Sequence, residues 1–367
     1  MINRLIIILM VILFSVSFGG EGKDYKSYVL GTSDGNIILS ESENNKYPLA
    51  SVTKMMTLLV VYDEISKGNL SKEDRIEIDE EVAKIGGSKI YMKAGQKIKV
   101  DDLIKATAIH SANNAAFALA KHVGRGNVDN FVNKMREKAK DLGLENEVEF
   151  YTPTGLPTNM TGKEMDKGTA YGIYKLGIEA LKNDDYIKIA SQKSTTIYSG
   201  KIKLMNRNKL LGKEGIFGIK TGHHNAAGYN MAVASNKNNI ELVYVVLGGK
   251  NETIRDKKII SDISQFYNEN RRTFLLRKDS PIDNLYLEES AMKVVEVFPD
   301  KDFSKIIKKD SKIIFEIKYN KIELPLKKDE VIGKYNLILD HMTEISGDLV
   351  VRENILNKKM KFSEFSI

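Results

Sequence analysis

Three short segments of the sequence combine residue types that can move protons to and from a nucleophile. Ser51 and Lys54 lie three positions apart in ASVTKMMT (50–57), and Ser111 lies two positions before Asn113 in HSANNAA (110–116). The third segment, GIFGIKTGHHNAAGYN (215–230), contains a Lys-Thr-Gly triplet. A serine hydroxyl is a weak nucleophile until a neighbouring base takes its proton, and a neutral lysine is able to do so. The sequence therefore suggests nucleophilic catalysis through Ser51.

Lys54 is the residue that makes the first segment unusual. Residues 52–67 have the composition of a helix that Gly68 would end, and Ser51 alone could be explained as its N-cap. However, residues 55–61 are apolar at nearly every position, which predicts a helix buried on most sides, and lysine is seldom buried without a partner. At a spacing of three the amine can reach the hydroxyl, and desolvation favours the neutral amine that can accept its proton.

The other two segments have structural explanations as well as functional ones. Ser111 and Asn113 fall in a predicted bend between helices at 101–109 and 115–123, where they could simply act as helix caps. Lys220-Thr221-Gly222 falls on a predicted strand, where the missing side chain of Gly222 would let another backbone approach closely. An extended peptide could dock there as an added strand while Lys220 and Thr221 bind a carboxylate, or the triplet could be an exposed strand end.

The elements that must hold these segments divide the chain in two. Up to about residue 267, strand-like and helix-like stretches alternate unevenly, which suits an antiparallel sheet with helices packed on it. We expect a hairpin around 32–35, a long helical part from 51 to 144, and strands at 215–222, 228–235 and 240–247. Beyond residue 277, short strands at 293–298, 312–319, 321–325 and 334–339 predict a small all-β domain, a sandwich.

Composition excludes several classes of protein. The 367 residues contain no cysteine, which excludes disulfides, thiolate zinc sites, cysteine nucleophiles and lipoprotein anchors. The five histidines form no H-E-x-x-H pattern, so we expect no metal site. The net charge of +7 comes from lysines spread along the chain, whereas nucleic-acid binding would need a concentrated patch.

The first twenty residues predict export. MINRLIIILMVILFSVSFGG begins with one arginine, continues with an apolar run and ends in small residues. The run is shorter than the roughly 20 residues that cross a bilayer, so it indicates a secretory signal at 1–20, with an uncleaved anchor as the alternative. In both cases the bulk of the chain leaves the cytoplasm.

The three segments follow one another as S-x-x-K, S-x-N and K-T-G, at a helix start, an interhelical bend and a strand. This is the arrangement of penicillin-recognising serine enzymes. With TGLP (154–157) and NRNKLL (206–211), the segments resemble those of the low-molecular-mass penicillin-binding proteins, the serine-type D-alanyl-D-alanine carboxypeptidases of peptidase family S11. The resemblance is close over residues 25–267 and looser beyond.

The resemblance implies an α+β fold. It places a β-lactamase/transpeptidase-like domain, an antiparallel sheet flanked by helices, at 21–272, and a small C-terminal all-β domain at 273–367. It implies hydrolysis of the terminal D-Ala-D-Ala bond of peptidoglycan stem pentapeptides through a serine acyl-enzyme, which trims the cell wall and affects cell shape, with β-lactams as covalent inhibitors. The expected location is the periplasm or the outer face of the cytoplasmic membrane of a bacterium, and no metal or organic cofactor is needed.

The resemblance also implies roles for individual residues. Ser51 would be the acylated nucleophile, Lys54 its general base, and Ser111 with Asn113 would relay a proton to the leaving D-alanine and hold the peptide. The substrate-binding residues would be completed by Lys220, Thr221 and Gly222 at the terminal carboxylate, by Arg207 as a further positive charge, and by His223. The backbone N–H groups of Ser51 and His223 would form the oxyanion hole.

Three features depart from the family or have simpler explanations. Lys250 stands where relatives often have Arg, and we interpret it as a surface residue. We interpret Glu164 as an acid in the first turn of a helix, placed there by the helix dipole. The apolar residues of the tail NILNKKMKFSEFSI scatter around a helical wheel, so tight membrane anchoring is not expected, although Lys358, Lys359 and Lys361 could give weak contact with anionic lipid.

Two alternatives to a carboxypeptidase remain at this point. A β-lactamase of related fold would hydrolyse penicillin rapidly, but β-lactamases typically lack an extra β domain. A catalytically silent peptidoglycan-binding protein would be free to lose some of the five residues Ser51, Lys54, Ser111, Asn113 and Lys220, all of which are present.

Overall fold

The computed structural model describes residues 24–358. Its α-helices are α1 (Lys54–Ser66), α2 (Glu80–Lys84), α3 (Val100–Ile109), α4 (Asn113–Val123), α5 (Val128–Asp141), α6 (Thr158–Thr161), α7 (Ala170–Leu181), α8 (Asp184–Ala190) and α9 (Glu252–Glu269). Short 3-10 helices span Ala50–Thr53 and Lys213–Gly215. No helix within residues 24–358 is long and apolar enough to span a membrane. The predicted signal at 1–20 and the end of the tail, from Lys359 onward, lie outside the described residues.

The strands follow in chain order. In the first part they are β1 (Ser27–Thr32), β2 (Ile37–Glu41), β3 (Tyr47–Pro48), β4 (Arg75–Glu77), β5 (Lys97–Lys99), β6 (Val148–Glu149), β7 (Lys167–Gly168), β8 (Ser194–Ile197), β9 (Ile202–Met205), β10 (Ile216–His224), β11 (Gly228–Lys237) and β12 (Ile240–Gly249). In the second part they are β13 (Asn270–Leu276), β14 (Asp283–Tyr286), β15 (Val294–Pro299), β16 (Phe303–Lys308), β17 (Ile313–Tyr319), β18 (Val331–Leu339) and β19 (Met342–Val350).

A five-stranded antiparallel sheet, ordered β10-β11-β12-β1-β2, divides the first part into two layers. Successive side chains of a strand point to opposite faces, and in β12 they alternate between two cores. Val243, Val245 and Leu247 belong to the larger core, which helices α1 to α5, α7 and α8 help to build. Leu242 and Tyr244 belong to a smaller core on the other face, closed by α9. The predicted antiparallel sheet flanked by helices is therefore confirmed.

The second part is all-β, as predicted. A sheet ordered β14-β15-β19-β18-β17 and the two-stranded ribbon β13-β16 enclose a separate core that includes Leu276, Val297, Ile307 and Leu337. The predicted strand at 321–325 is wrong, because this segment pairs with no strand among residues 24–358, and the next residue, Leu326, forms an isolated bridge to Ile355. Strands β13, β14, β16 and β19 were not predicted. In these strands polar and charged residues interrupt the alternation of apolar and polar side chains, so the two-residue periodicity that predicts a strand is weak.

The start of α1 also differs from the prediction. Ser51 is not an N-cap, because residues 50–53 form a 3-10 turn before α1 and no side chain caps either helix. Ala50 has a left-handed backbone conformation, with φ of 49°. The serine hydroxyl is therefore left unused by the helix backbone and remains available to Lys54.

Candidate active site

The three predicted segments meet in one open cleft of about 610 Å³ at the β10 edge of the sheet. The 3-10 turn contributes Ser51, the bend between α3 and α4 contributes Ser111, and β10 contributes Thr221, Gly222 and His223. Two lysines are buried beneath the surface of the cleft, Lys54 in the first turn of α1 and Lys220 in β10.

Lys54 is fully buried, and no carboxylate of residues 24–358 forms an ion pair with it. Its Nζ lies 2.8 Å from Ser51 Oγ, 2.7 Å from Asn113 Oδ1 and 2.6 Å from the Thr154 carbonyl oxygen. Burial lowers the pKa of the Lys54 amine well below its usual value, and the charge of Lys220 lowers it further, against a smaller opposing effect of Asp166. The arrangement therefore favours a neutral amine.

The orientation of the Asn113 amide is fixed by a second contact. Its Nδ2 donates to the Gly86 carbonyl oxygen at 2.8 Å, so Oδ1 must be the atom that faces Lys54. Asn113 is the first residue of α4, but its side chain does not cap that helix. The neighbouring Asn114, which could also have capped α4, instead bonds the backbone of Ile90 through its amide. Asn113 is thus part of the lysine's surroundings rather than a helix cap.

Lys220 and Ser111 form a second pair. Lys220 Nζ donates to Ser111 Oγ at 2.8 Å and to the carbonyl oxygen of Thr221 at 2.8 Å. Burial lowers the pKa of Lys220 to about 7, with a further contribution from the charge of Arg207. Ser111 has a left-handed backbone, with φ of 62°, as expected for a residue held in a tight bend at a functional site. This pair can both supply and withdraw a proton near neutral pH.

Gly222 allows a close backbone approach, as predicted, but the approaching backbone belongs to the chain itself. A Cβ on Gly222 would lie 2.8 Å from the Leu49 carbonyl oxygen, 2.9 Å from Val52 N and 3.1 Å from Ser51 N. The space is therefore filled by the turn that carries Ser51, and an extended ligand would have to lie elsewhere along β10. Gly155, in the loop that supplies the Thr154 carbonyl, packs on the same turn, because its Cβ would lie 1.8 Å from the Ala50 oxygen.

Of the remaining charged residues considered from the sequence, Arg207 lies in the cleft, whereas Lys250 and Glu164 lie on the exposed surface. Arg207 lines the cleft, with Nη2 3.4 Å from His110 Nε2, and together with burial it lowers the pKa of His110. Lys250 is a half-exposed surface residue paired with Asp24 at 3.2 Å, as predicted. Glu164 is exposed and lies outside any helix, so the explanation by a helix dipole is wrong.

Sequence reasoning missed Arg255. Its guanidinium is buried, lines the cleft, and donates to Asp256 at 2.9 and 2.6 Å and to the Asn230 carbonyl oxygen at 3.4 Å. A signal was available, since Arg255, Ile259 and Ile263 share the buried face of α9 at a spacing of four. An arginine on an otherwise apolar stripe calls for a functional explanation.

Two further buried residues that sequence reasoning missed hold the backbone around the site in place, Asn230 at the Ser51 turn and Asp166 at the loop that supplies the Thr154 carbonyl. Asn230 Nδ2 donates to the carbonyl oxygens of Pro48 and Leu49 at 2.9 and 3.0 Å, and its Oδ1 accepts from Gly248 N at 2.7 Å. An asparagine in the apolar strand β11 was the available signal. Asp166 accepts from the backbone N–H groups of Tyr151 and Thr152 at 2.6 and 2.9 Å, and burial raises its pKa to about 6. Its sequence context gives no such signal.

His223 and Tyr229 form the outer wall of the cleft. They are opposite each other in the β10–β11 ladder, and their ring centroids are 4.0 Å apart. The His223 side chain is exposed, and no contact joins its imidazole to Ser51 or to either lysine within the described residues. The expected role of the His223 backbone N–H in an oxyanion hole stays a prediction.

Comparison with known proteins gives a consistent result for both parts of the chain. The family model of D-alanyl-D-alanine carboxypeptidase, peptidase S11, matches residues 23–251. The model of the penicillin-binding protein 5 C-terminal domain matches residues 272–356. Among curated proteins, the D-alanyl-D-alanine carboxypeptidase DacF of Bacillus subtilis is 27% identical, over 93% of this chain and 87% of its own. DacA of Haemophilus influenzae is 31% identical, over 90% of this chain and 85% of its own.

Solved structures agree. The D-alanyl-D-alanine carboxypeptidase DacD from Francisella tularensis has a TM-score of 0.67 and 25% identity, covering 92% of this chain and 95% of that chain. Penicillin-binding protein 5 from Haemophilus influenzae has a TM-score of 0.66 and 27% identity, covering 92% and 99%. Both similarities extend across the two parts of the molecule.

Proposed function

The chain belongs to the D-alanyl-D-alanine carboxypeptidase family, peptidase family S11, and is a serine-type D-Ala-D-Ala carboxypeptidase; we propose that Ser51 is its nucleophile and Lys54 the base that activates it. The observation that carries this assignment is the set of three partners around Lys54 Nζ. A neutral amine has two N–H groups and one lone pair. The Thr154 carbonyl oxygen and Asn113 Oδ1 can only accept, so they take the two N–H groups and leave the lone pair for the Ser51 hydroxyl.

Acylation follows from this geometry. Lys54 takes the hydroxyl proton as Ser51 Oγ attacks the carbonyl carbon of the D-Ala-D-Ala bond. The oxygen that becomes negative is stabilised by the backbone N–H groups of Ser51 and His223. The close packing of β10 on the Ser51 turn at Gly222 supports this role, because it brings the two backbone segments together.

We assign the leaving group to Ser111 and Lys220. As the C–N bond breaks, the amine nitrogen of the departing D-alanine needs one proton, and the Ser111 hydroxyl can deliver it while being reprotonated by Lys220 2.8 Å away. Thr221 and Lys220 hold the terminal carboxylate, and Arg207, which lines the cleft, adds positive charge. Water then attacks the acyl-Ser51 ester and releases the shortened peptide, and no step requires a cofactor.

The family binds peptidoglycan peptides and β-lactams, and the chain is a cell-wall hydrolase. We further propose that it acts outside the cytoplasm, which the sequence of residues 1–20 supports, that it contributes to cell shape, and that contact with the membrane surface is weak. A β-lactam would acylate Ser51 as the stem peptide does. Hydrolysis of the resulting ester would be slow, because opening of the lactam ring releases no small amine from the site.

The test is mass spectrometry of the intact protein after brief exposure to benzylpenicillin, followed over time. We expect a long-lived adduct on the peptide that contains Ser51, and release of D-alanine from a pentapeptide. Ser51→Ala should abolish both. Ser66→Ala, which removes an exposed hydroxyl at the other end of α1, should retain both.

Other outcomes would replace the proposal. Rapid turnover of penicillin would indicate a β-lactamase of related fold. Peptidoglycan binding without adduct or D-alanine release would indicate a catalytically silent binding protein. An adduct that survives Ser51→Ala would place the nucleophile at another residue.

A further inference from the structure

The C-terminal sheet ends in an edge strand that is unusually open. In the order β14-β15-β19-β18-β17, strand β17 is the last strand, and among the described strands it pairs with β18 alone. Within residues 24–358, no backbone hydrogen bond reaches the other edge of β17. Ile313 and Ile314 are 38% and 47% exposed. Natural edge strands of this length are usually covered, twisted away or blocked, because an open edge invites another strand.

The two faces of β17 differ in character. Phe315, Ile317 and Tyr319 are only partly buried and pack against the edge of the domain core. On the opposite, solvent face, Glu316 and Lys318 are exposed. A strand added beside β17 would therefore extend the core on one face and place side chains against one acid and one base on the other.

We propose that the partner is a second copy of this chain, and that two β17 strands pair antiparallel about a two-fold axis through Ile317. Directly opposite residues in an antiparallel pair share a face, so the axis must pass through a residue and not between two. In this register Ile317 faces its own copy, Phe315 faces Tyr319, and Glu316 faces Lys318 twice.

Pairings whose two-fold axis passes through a residue near Ile317 are less favourable, and the charges of the facing side chains suffice to show this. An axis through Glu316 or through Lys318 sets two like charges against each other. An axis through Phe315 sets Lys318 against Lys312 and Glu316 against Ile314. Like charges directly opposite are destabilising, so the register centred on Ile317 is the one that the sequence of β17 favours.

Lys318 gives an independent reason to expect a partner. Its cross-strand neighbour on β18 is Lys334, another exposed lysine. No ion pair to Lys318 occurs within residues 24–358. Glu316 of the second copy would stand on the open side of Lys318 and offset this repulsion. A single strand pair buries little surface, so we expect a weak, concentration-dependent dimer.

The test is sedimentation velocity of the full chain over a concentration series, with four charge variants. Glu316→Lys and Lys318→Glu should each weaken dimerisation roughly tenfold or more, because each single change sets like charges opposite one another at two symmetric positions. The double variant should dimerise like the wild type. Lys328→Glu, an exposed lysine away from β17, should change nothing.

The sharpest measurement is an equimolar mixture of the two single variants. In a mixed pair, one copy has lysine and the other has glutamate at both positions 316 and 318, so every facing charge pair is opposite, and the mixture should dimerise more tightly than either variant alone. The rate of acylation by benzylpenicillin, measured on every variant, should match the wild type and report intact folding. A wild-type chain that stays monomeric, a dimer insensitive to these charges, or a mixture that fails to associate would overturn the proposal.

Discussion

Replacing Asn113 with Asp would test whether the neutral state of Lys54 drives acylation. The change keeps an oxygen 2.7 Å from Lys54 Nζ but adds a negative charge beside an amine whose hydrogen-bond partners within residues 24–358 are all uncharged. An opposite charge at such a distance favours the ammonium and raises a pKa by about 1–3 units. On the acidic limb of the pH profile, the fraction of neutral Lys54 falls tenfold per unit, so at a fixed pH acylation should slow by about 10- to 1,000-fold.

The assay is the second-order rate of benzylpenicillin acylation measured from acidic to alkaline pH. We expect the acidic limb to move to higher pH in Asn113→Asp and the rate to recover partly as the pH rises through the new limb. Loss of the Nδ2 bond to the Gly86 carbonyl should also lower the free energy of unfolding by about 1–3 kcal/mol.

Asn114→Asp is the matched control for that experiment. Asn114 is equally buried, but its amide bonds the backbone of Ile90 and not Lys54. The variant should therefore lose stability without moving the acidic limb. If Asn113→Asp slowed acylation by the same factor at every pH, the limb would not report Lys54, and the assignment of Lys54 as the base would have to be given up.

Three further outcomes follow from the site. In Gly222→Ala the new Cβ would press on the Ser51 turn. The variant should therefore lower the free energy of unfolding by about 1–3 kcal/mol and slow the rate of acylation by about 100-fold. A stopped-flow acylation rate equal to that of the wild type would contradict this expectation. The alkaline limb of kcat/KM for a pentapeptide should lie near pH 7, since the Lys220 ammonium is present below its pKa of about 7 and lost above it; Lys220→Arg should move the limb upward. The Asp166 carboxyl has a folded pKa of about 6, above its unfolded value of about 3.8, so its contribution to stability is complete below pH 3.8 and is lost as the pH rises through 6. Urea unfolding at a series of pH values should show that the free energy of unfolding falls by about 3 kcal/mol over this range, and Asp166→Asn should abolish this pH dependence.

The parts of the site that the sequence predicted depend on local spacing. Lys54 reaches Ser51 because three positions separate them across the junction of the 3-10 turn and α1, and Ser111 lies at a bend because two helix patterns break there. The sheet was predictable for a related reason, since β10, β11 and β12 have clear apolar runs with turn residues between them.

The parts that the sequence did not predict depend on tertiary contacts. The Thr154 carbonyl that accepts from Lys54 is 100 residues away in the chain, and any residue type could supply it. The segment that fills the space above Gly222 could be recognised only once β10 and the Ser51 turn were placed together. Ser51 itself was mistaken for a cap, because cap preference says nothing about a 3-10 turn inserted before the helix.

The two buried lysines explain why the site should prefer a substrate with a free carboxylate. Lys220 has a pKa of about 7 in the empty cleft, so near neutral pH it is only partly charged. A carboxylate bound to Lys220 favours its ammonium, and a charged Lys220 in turn lowers the pKa of Lys54. In the proposed mechanism, substrate binding at Lys220 would therefore help to keep Lys54 neutral and ready to take the proton of Ser51. In this scheme the terminal carboxylate does more than add affinity, because it also sets the protonation state of the base at the moment when the nucleophile is needed.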